Sequence, residues 1–142
     1  MNRVYLMRGP SGSGKSTWIK NNIPNAKIIS TDNYFMVNGE YKFDPLRLPE
    51  YHNQALTDYL KLLQEDALDI VVDNTNIRVF EIAPYYRLAE VFGYKVTVIW
   101  IVTKINNCIE RNVHGVPSQT IKNQMMSIEP LPPWWNVDIV VN

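Results

Sequence analysis

The chain has little that would tie it to an extracellular, membrane or purely electrostatic role. One cysteine, Cys108, stands among 142 residues, so no internal disulfide can form and a reducing compartment is expected. No apolar run approaches the ~20 residues that cross a bilayer as a helix, which argues against a membrane role. Met1-Asn2-Arg3 leads straight into a strand pattern, so no cleavable signal is expected and the cytoplasm is the default location. Charge of one sign is not in excess: 14 basic residues cancel 14 acidic ones, so net charge alone does not point to nucleic acid. After Lys122 neither Lys nor Arg occurs, and any basic surface must come from earlier segments. Low-complexity tracts and internal repeats are missing as well. At this length one domain is expected, able to bury roughly 68–70% of its unfolded surface.

What is present alternates. Val4 to Met7 predicts a buried strand ending at Gly9, and a helix opens at Ser16 or Thr17 and stops at Pro24. Lys27 to Ser30 is a second strand pattern. Asn38-Gly39 then sits between two short alternating runs, and Asn-Gly is the strongest short hairpin signal because both turn positions need positive φ. A helix is expected from Glu50 to Glu65, with Ala55, Leu56, Tyr59, Leu60 and Leu63 on one face, and a third strand over Ile70 to Val72. Val79 to Phe92 continues as a helix with Gly93 as its natural terminator. Lys95 to Val102 is the longest apolar strand and is expected to be central. Ile105 to Arg111 reads as helical, Ser118 as the cap of another helix, and Val137 to Val141 as a last strand. Strands alternating with helices predict a three-layer α/β sandwich: a mostly parallel five-stranded sheet, a small β-hairpin insertion and a lid at about residues 111–120.

The run GPSGSGKS, Gly9 to Ser16, fits G-x-x-x-x-G-K-[ST] at every fixed position, after a strand and before a helix. Gly9, Pro10, Ser11, Gly12, Ser13 and Gly14 would turn backbone N–H groups toward phosphate oxygens. Lys15 supplies a cation to the β/γ-phosphates, Ser16 a hydroxyl to Mg²⁺, and Thr17 opens a helix whose N-terminus favours an anion. The pattern implies ATP or another nucleoside triphosphate with Mg²⁺. Switch GTPases would add a guanine-reading N-K-x-D segment, which is absent, and motor ATPases usually need a larger or oligomeric body.

Several segments together, RGPSGSGKST, STDNYF, VVDNTN and RNVHGVP, resemble the P-loop kinase domain of the polynucleotide 5′-hydroxyl kinases. They resemble still more a related set of phage, viral and bacterial ATP-binding or AAA-type proteins, which includes the P-loop domain of an animal ubiquitin-ligase-binding protein. The likeness runs from Arg3 to about Trp135, and its most specific pieces are Asp73-Asn74-Thr75-Asn76 and the run Arg111-Asn112 to His114-Gly115. It implies ATP-dependent phosphoryl transfer to a hydroxyl, above all the 5′-OH of single-stranded or end-exposed DNA or RNA. Two other functions stay open: a kinase of a small acceptor such as a nucleoside or sugar, and a non-catalytic ATP-binding module or slow ATPase. A fused phosphatase or ligase domain is not expected after the last strand.

By position the resemblance makes Asp32 the catalytic base. A carboxylate at the C-terminal edge of a parallel strand also points into the crevice where ligands bind, within reach of a hydroxyl. The competing reading is an Asp that turns the chain with Asn33. Asp73 reads as a carboxylate behind a Mg²⁺-bound water, as a turn residue, or, by resemblance, as part of an acceptor side with Asp32, Tyr34, Asn76 and Arg78. The resemblance sends Arg111 from the lid to the ATP phosphates, although a helix-end Arg can also simply complement the dipole. His114 is either a lid phosphate contact or an exposed loop residue, and His52 is structural. Phage-type kinases carry an arginine three residues after the base, where this chain has Phe35. Tyr34, Phe35 and Tyr41 could stack on a base, but packing beneath the hairpin is preferred, and packing is likewise preferred for Trp134 and Trp135.

Overall fold

Period-two alternation builds β1 (Arg3–Arg8), with Val4 and Leu6 on one face and Tyr5 and Met7 on the other. The computed structural model describes residues 2–112 and 114–142; Met1 and Val113, the latter inside the expected lid, lie outside it. β1 is the middle strand of a five-stranded sheet that also contains β2 (Lys27–Ile29), β5 (Asp69–Val72), β6 (Lys95–Val102) and β7 (Val137–Val141), in the order β2-β5-β1-β6-β7. Every pairing in it is parallel. The long apolar β6 is interior, between β1 and β7, while β1 takes the middle place.

Helices cover both faces. On one, α2 (Leu48–Gln64) and α3 (Val79–Val91) lay Ala55, Tyr59, Leu63, Ile82, Tyr85 and Ala89 against Val4, Leu6, Ile70, Val72, Val96 and Val98. On the other, Ile19 of α1 (Lys15–Asn22) meets Met7, Val71, Ile99 and Ile101. α4 (Ile105–Glu110) and α5 (Ser118–Met126) pack on each other near the end of β6. α1 begins at Lys15, a residue or two earlier than the pattern suggested, and α2 begins at Leu48 with Pro49 in its first turn, where a missing N–H costs nothing. α3 ends as expected on Gly93 (φ 77°), with Gly93 N–H donating to Glu90 O and Tyr94 N–H to Ala89 O. Ser118 is not a cap: it is the first helical residue of α5, Pro117 holds the cap position, and no side chain bonds the free N–H groups there.

β3 (Met36–Val37) and β4 (Glu40–Tyr41) form the hairpin, an antiparallel pair separate from the main sheet. Asn38 (φ 52°) and Gly39 (φ 82°) supply the two positive φ values. Beneath it Phe35 is 2% exposed and meets the rings of Tyr41, Phe43 and Tyr51 at 6.1, 5.1 and 4.7 Å. No arginine stands where Phe35 does, and the place is filled by a core side chain.

The two tryptophans differ. Trp135 stacks on Tyr86 at 4.1 Å and 3°, and the Tyr86 hydroxyl accepts from Asn136 N–H at 2.9 Å, which fixes the approach to β7. Trp134 is 79% exposed, so packing describes only its neighbour. Trp135→Ala is therefore expected to lower unfolding free energy by about 2 kcal/mol. Trp134→Ala is expected to change it by less than about 0.5 kcal/mol. Urea denaturation of both variants, with equal losses counting against this account, provides the measurement.

Candidate functional site

The C-terminal ends of β1, β5 and β2 open onto one crevice, each followed by a polar loop: Gly9 to Gly14, Asp73 to Arg78, and the 3₁₀ turn Thr31–Phe35. The first loop is held from below. Ser13 carbonyl accepts from Thr103 Oγ1 at 2.8 Å and from Asn142 Nδ2 at 2.9 Å, fastening it to the ends of β6 and β7. Gly9 N–H donates to Thr75 O at 3.0 Å, and Ser11 N–H to Gln124 Oε1 of α5 at 2.9 Å. Gly12 has φ 78°, and a Cβ there would land on the Cys108 carbonyl of α4. Glycine is required by backbone conformation and by space together.

Lys15 is 9% exposed and donates through Nζ to Gly9 O at 2.8 Å and Pro10 O at 3.0 Å, curled under its own loop. Burial pushes its pKa down, while the carboxylates of Asp73 and Asp32 pull the other way. Ser16 and Thr17 are exposed at the mouth of α1. Ser16 Oγ donates to Asp73 Oδ2 at 3.2 Å, and a cleft of about 360 Å³ opens beside the pair between Ile19, Lys20, Pro24 and Ile28. Burial raises the Asp73 pKa, opposed by Lys15 and by the Ser16 hydroxyl. Two hard oxygens side by side suit a small divalent cation that keeps most of its waters. Among the described residues no group of three or more His, Cys, Asp or Glu could hold a metal by itself, so a cation here would lean on water and substrate phosphates.

Asp32 makes no hydrogen bond through its carboxylate to its own turn among the described residues. Instead Oδ1 accepts from Tyr41 hydroxyl at 3.1 Å and Oδ2 lies 3.7 Å from His114 Nε2, with the Tyr41 and His114 rings stacked at 4.2 Å. Its turn is fixed from elsewhere: Asn74 Oδ1 accepts from both Thr31 N–H and Thr31 Oγ1 at 3.0 Å. Arg111 is exposed directly after α4, and Asn112 closes the following loop, accepting Val116 N–H at 3.1 Å and donating to Val116 O. His114 thus faces Asp32.

Two of the expected substrate residues are engaged within the fold. Asn76 is 1% exposed at φ 49°, its amide donating to Met7 O at 2.8 Å, so it braces the loop. Tyr34 donates its hydroxyl to Asp58 of α2 and leans on Tyr51. Arg78 is exposed at the start of α3.

Arg8 was not singled out from the sequence, although it is the one charged residue between the apolar run of β1 and the first loop glycine. It is fully buried. Nε donates to Asn76 O at 2.9 Å, Nη2 to Ile77 O at 2.8 Å and to Glu129 O, and the guanidinium lies 4.3 Å over the Trp100 ring. Thr103, Gln124 and Asn142 were missed too. They are single polar residues whose partners lie 90 to 129 positions away, and no local pattern marks them.

The family profile described as an AAA domain matches residues 4–131. Human NEDD4-binding protein 2 is 34% identical over 129 residues; that match covers 86% of this chain and 7% of the human protein's length. Among solved structures, the Pnkp1/Rnl/Hen1 RNA repair complex holds a chain that superposes with TM-score 0.71 at 14% identity, over 89% of this chain and 44% of its own. The Mycobacterium tuberculosis APS kinase CysC, in complex with AMPPNP and APS, superposes with TM-score 0.65 at 16% identity, over 99% of this chain and 88% of its own. The fold is that of the P-loop kinases.

Because a methyl at Gly12 meets the backbone of α4 and an unfavourable φ together, Gly12→Ala is expected to cost about 2 kcal/mol or more. Chemical denaturation measures this, and a loss below about 0.5 kcal/mol would mean that the loop is not seated against Cys108.

Proposed function

This chain belongs to the AAA-domain family, and from that premise we propose that it is an ATP-dependent kinase of a hydroxyl acceptor, foremost the 5′-OH of a polynucleotide. The observation that carries the reading is the placement of Asp32. Its carboxylate stands at the C-terminal edge of β2, across the crevice from the Lys15 loop, uncommitted to its own turn and close enough to act on the Lys15 charge.

In this reading the backbone N–H groups from Gly12 to Thr17 bind the phosphates, and Lys15 turns from the loop carbonyls to the β/γ-phosphate oxygens. Asp32 accepts the proton from the acceptor hydroxyl. The hydroxyl oxygen bonds to the γ-phosphorus as the bond from that phosphorus to the bridging oxygen breaks, and ADP leaves with the electron pair. Arg111, carried on the lid, offsets charge that grows on the transferring group. Ser16 and, through water, Asp73 would hold Mg²⁺, which neutralises phosphate charge when bound. The buried thiol of Cys108 and the lack, among the described residues, of a helix long and apolar enough to cross a membrane agree with a cytoplasmic site of action.

A small acceptor is the second reading, favoured by one feature. The place of the acceptor-side arginine is taken by Phe35, a buried ring, so no cation waits there for a polynucleotide phosphate.

Asp32→Asn keeps the shape and loses the ability to take a proton. Transfer to a 5′-OH oligonucleotide in a single turnover is expected to fall by about 10²–10⁴, with ATP affinity nearly unchanged by titration. Full activity would reduce Asp32 to a structural residue. Arg111→Ala is expected to lower turnover more than ATP affinity, because its charge matters most in the transition state. A rise confined to the Michaelis constant for ATP would make Arg111 a ground-state binder.

A further inference from the structure

The hairpin interrupts an otherwise regular alternation of strands and helices, and it brings one polar side chain to the crevice. Tyr41 comes from β4, two residues beyond the Asn38-Gly39 turn. Its ring rests edge-on against Phe35, the buried hub, and its hydroxyl donates to Asp32 Oδ1 at 3.1 Å. The opposite end of the contact is the lid. His114 stacks on the Tyr41 ring at 4.2 Å and 30°, and its Nε2 faces the second oxygen of the same carboxylate at 3.7 Å. Tyr41 thus occupies Oδ1, while His114 stays beyond hydrogen-bond distance of Oδ2 and the Asp32 side chain is 49% exposed. Asn112 and Val116 exchange two hydrogen bonds, which close the loop that bears His114 directly after Arg111.

Resting on the assignment of Asp32 as base, we propose that Tyr41 is a positioning residue for that carboxylate, and that its stack with His114 couples lid closure to base orientation. An aspartate side chain rotates about two bonds. A base must present one oxygen to the acceptor hydroxyl within hydrogen-bond distance, and a fixed donor on the other oxygen selects that rotamer. The Tyr41 phenol suits the task, since burial and the adjacent carboxylate raise its pKa and keep it a donor. The same lid that carries Arg111 to the phosphates would then dock on Tyr41, so acceptor-side and phosphate-side geometry are completed together.

Tyr41→Phe keeps the ring contacts and removes the hydrogen bond. It is expected to lower kcat for phosphoryl transfer about tenfold, with the Michaelis constant for ATP unchanged. In an Asp32→Asn background it is expected to do nothing further, because Tyr41 acts only through the carboxylate. Effects that multiply in the double variant overturn the proposal, as does a Tyr41→Phe enzyme at wild-type rate beside a slow Asp32→Asn enzyme. An Asp32→Asn enzyme at wild-type rate instead overturns the base assignment, and the positioning role with it. The clasp is tested without turnover by the NMR signals of the His114 ring protons. They are expected upfield in the wild type and in Tyr41→Phe, and at ordinary positions in Tyr41→Leu. Ordinary positions in the wild type overturn the clasp whatever the kinetics show.

Discussion

Arg8 carries its positive charge to a place with no accessible surface and meets it there with backbone carbonyls. Asn76, Ile77 and Glu129 each turn a carbonyl oxygen to the guanidinium, and the Trp100 ring lies against its face. Burial lowers the pKa, and Glu129 and Glu81 oppose that from a distance. Nη1 has no partner among the described residues, so the charge is incompletely satisfied. A buried cation is costly, and removing the group that satisfies it costs more still, so two distant segments are held where Arg8 needs them. The first is the loop after β5, with Asn76 returning a hydrogen bond to Met7. The second is the chain leaving α5, where Glu129 also ties the start of α3 by accepting Val79 N–H through Oε1 at 2.7 Å. Both converge on the residue before Gly9, so the root of the phosphate loop is fixed before any ligand arrives.

On that root the loop stores charge at a cost to the fold. Lys15 is desolvated and bonded to its own loop, and Asp73 is buried beside Ser16 with a raised pKa. Each would be more comfortable in water. Each charge opposes the shift that burial imposes on the other. Sites arranged this way trade stability for preorganised donors and acceptors.

The alternation of Val4 with Leu6, the glycine pattern of the loop and the Asn38-Gly39 turn all encode local geometry, and the structure has them where the sequence put them. The sheet, its parallel sense and the hairpin were legible for that reason. The borders of α1 and α2 shifted by one or two residues, since first-turn residues such as Lys15 and Pro49 tolerate either side of the boundary. Side-chain partners were another matter. Asn76 and Tyr34 were substrate residues only by resemblance; the amide of the first is committed to Met7, and the hydroxyl of the second, for which packing was preferred, is committed to Asp58. Arg8, Gln124 and Asn142 gave no signal because their partners come from the far end of the chain. Trp134 and Trp135, adjacent and chemically identical, parted company only because one faces Tyr86.

The hairpin strands are two residues each, far too short for stability of their own. What orders them is the cluster of rings around Phe35, itself on a 3₁₀ turn and not on the main sheet. The crevice therefore has two walls of different mechanical character. The phosphate loop is anchored to the ends of β6 and β7, whereas the wall bearing Asp32 and Tyr41 rests on a ring cluster outside the main sheet. On the proposed reading, the part that holds an anion and the part that acts on a hydroxyl are therefore separately anchored in one small chain.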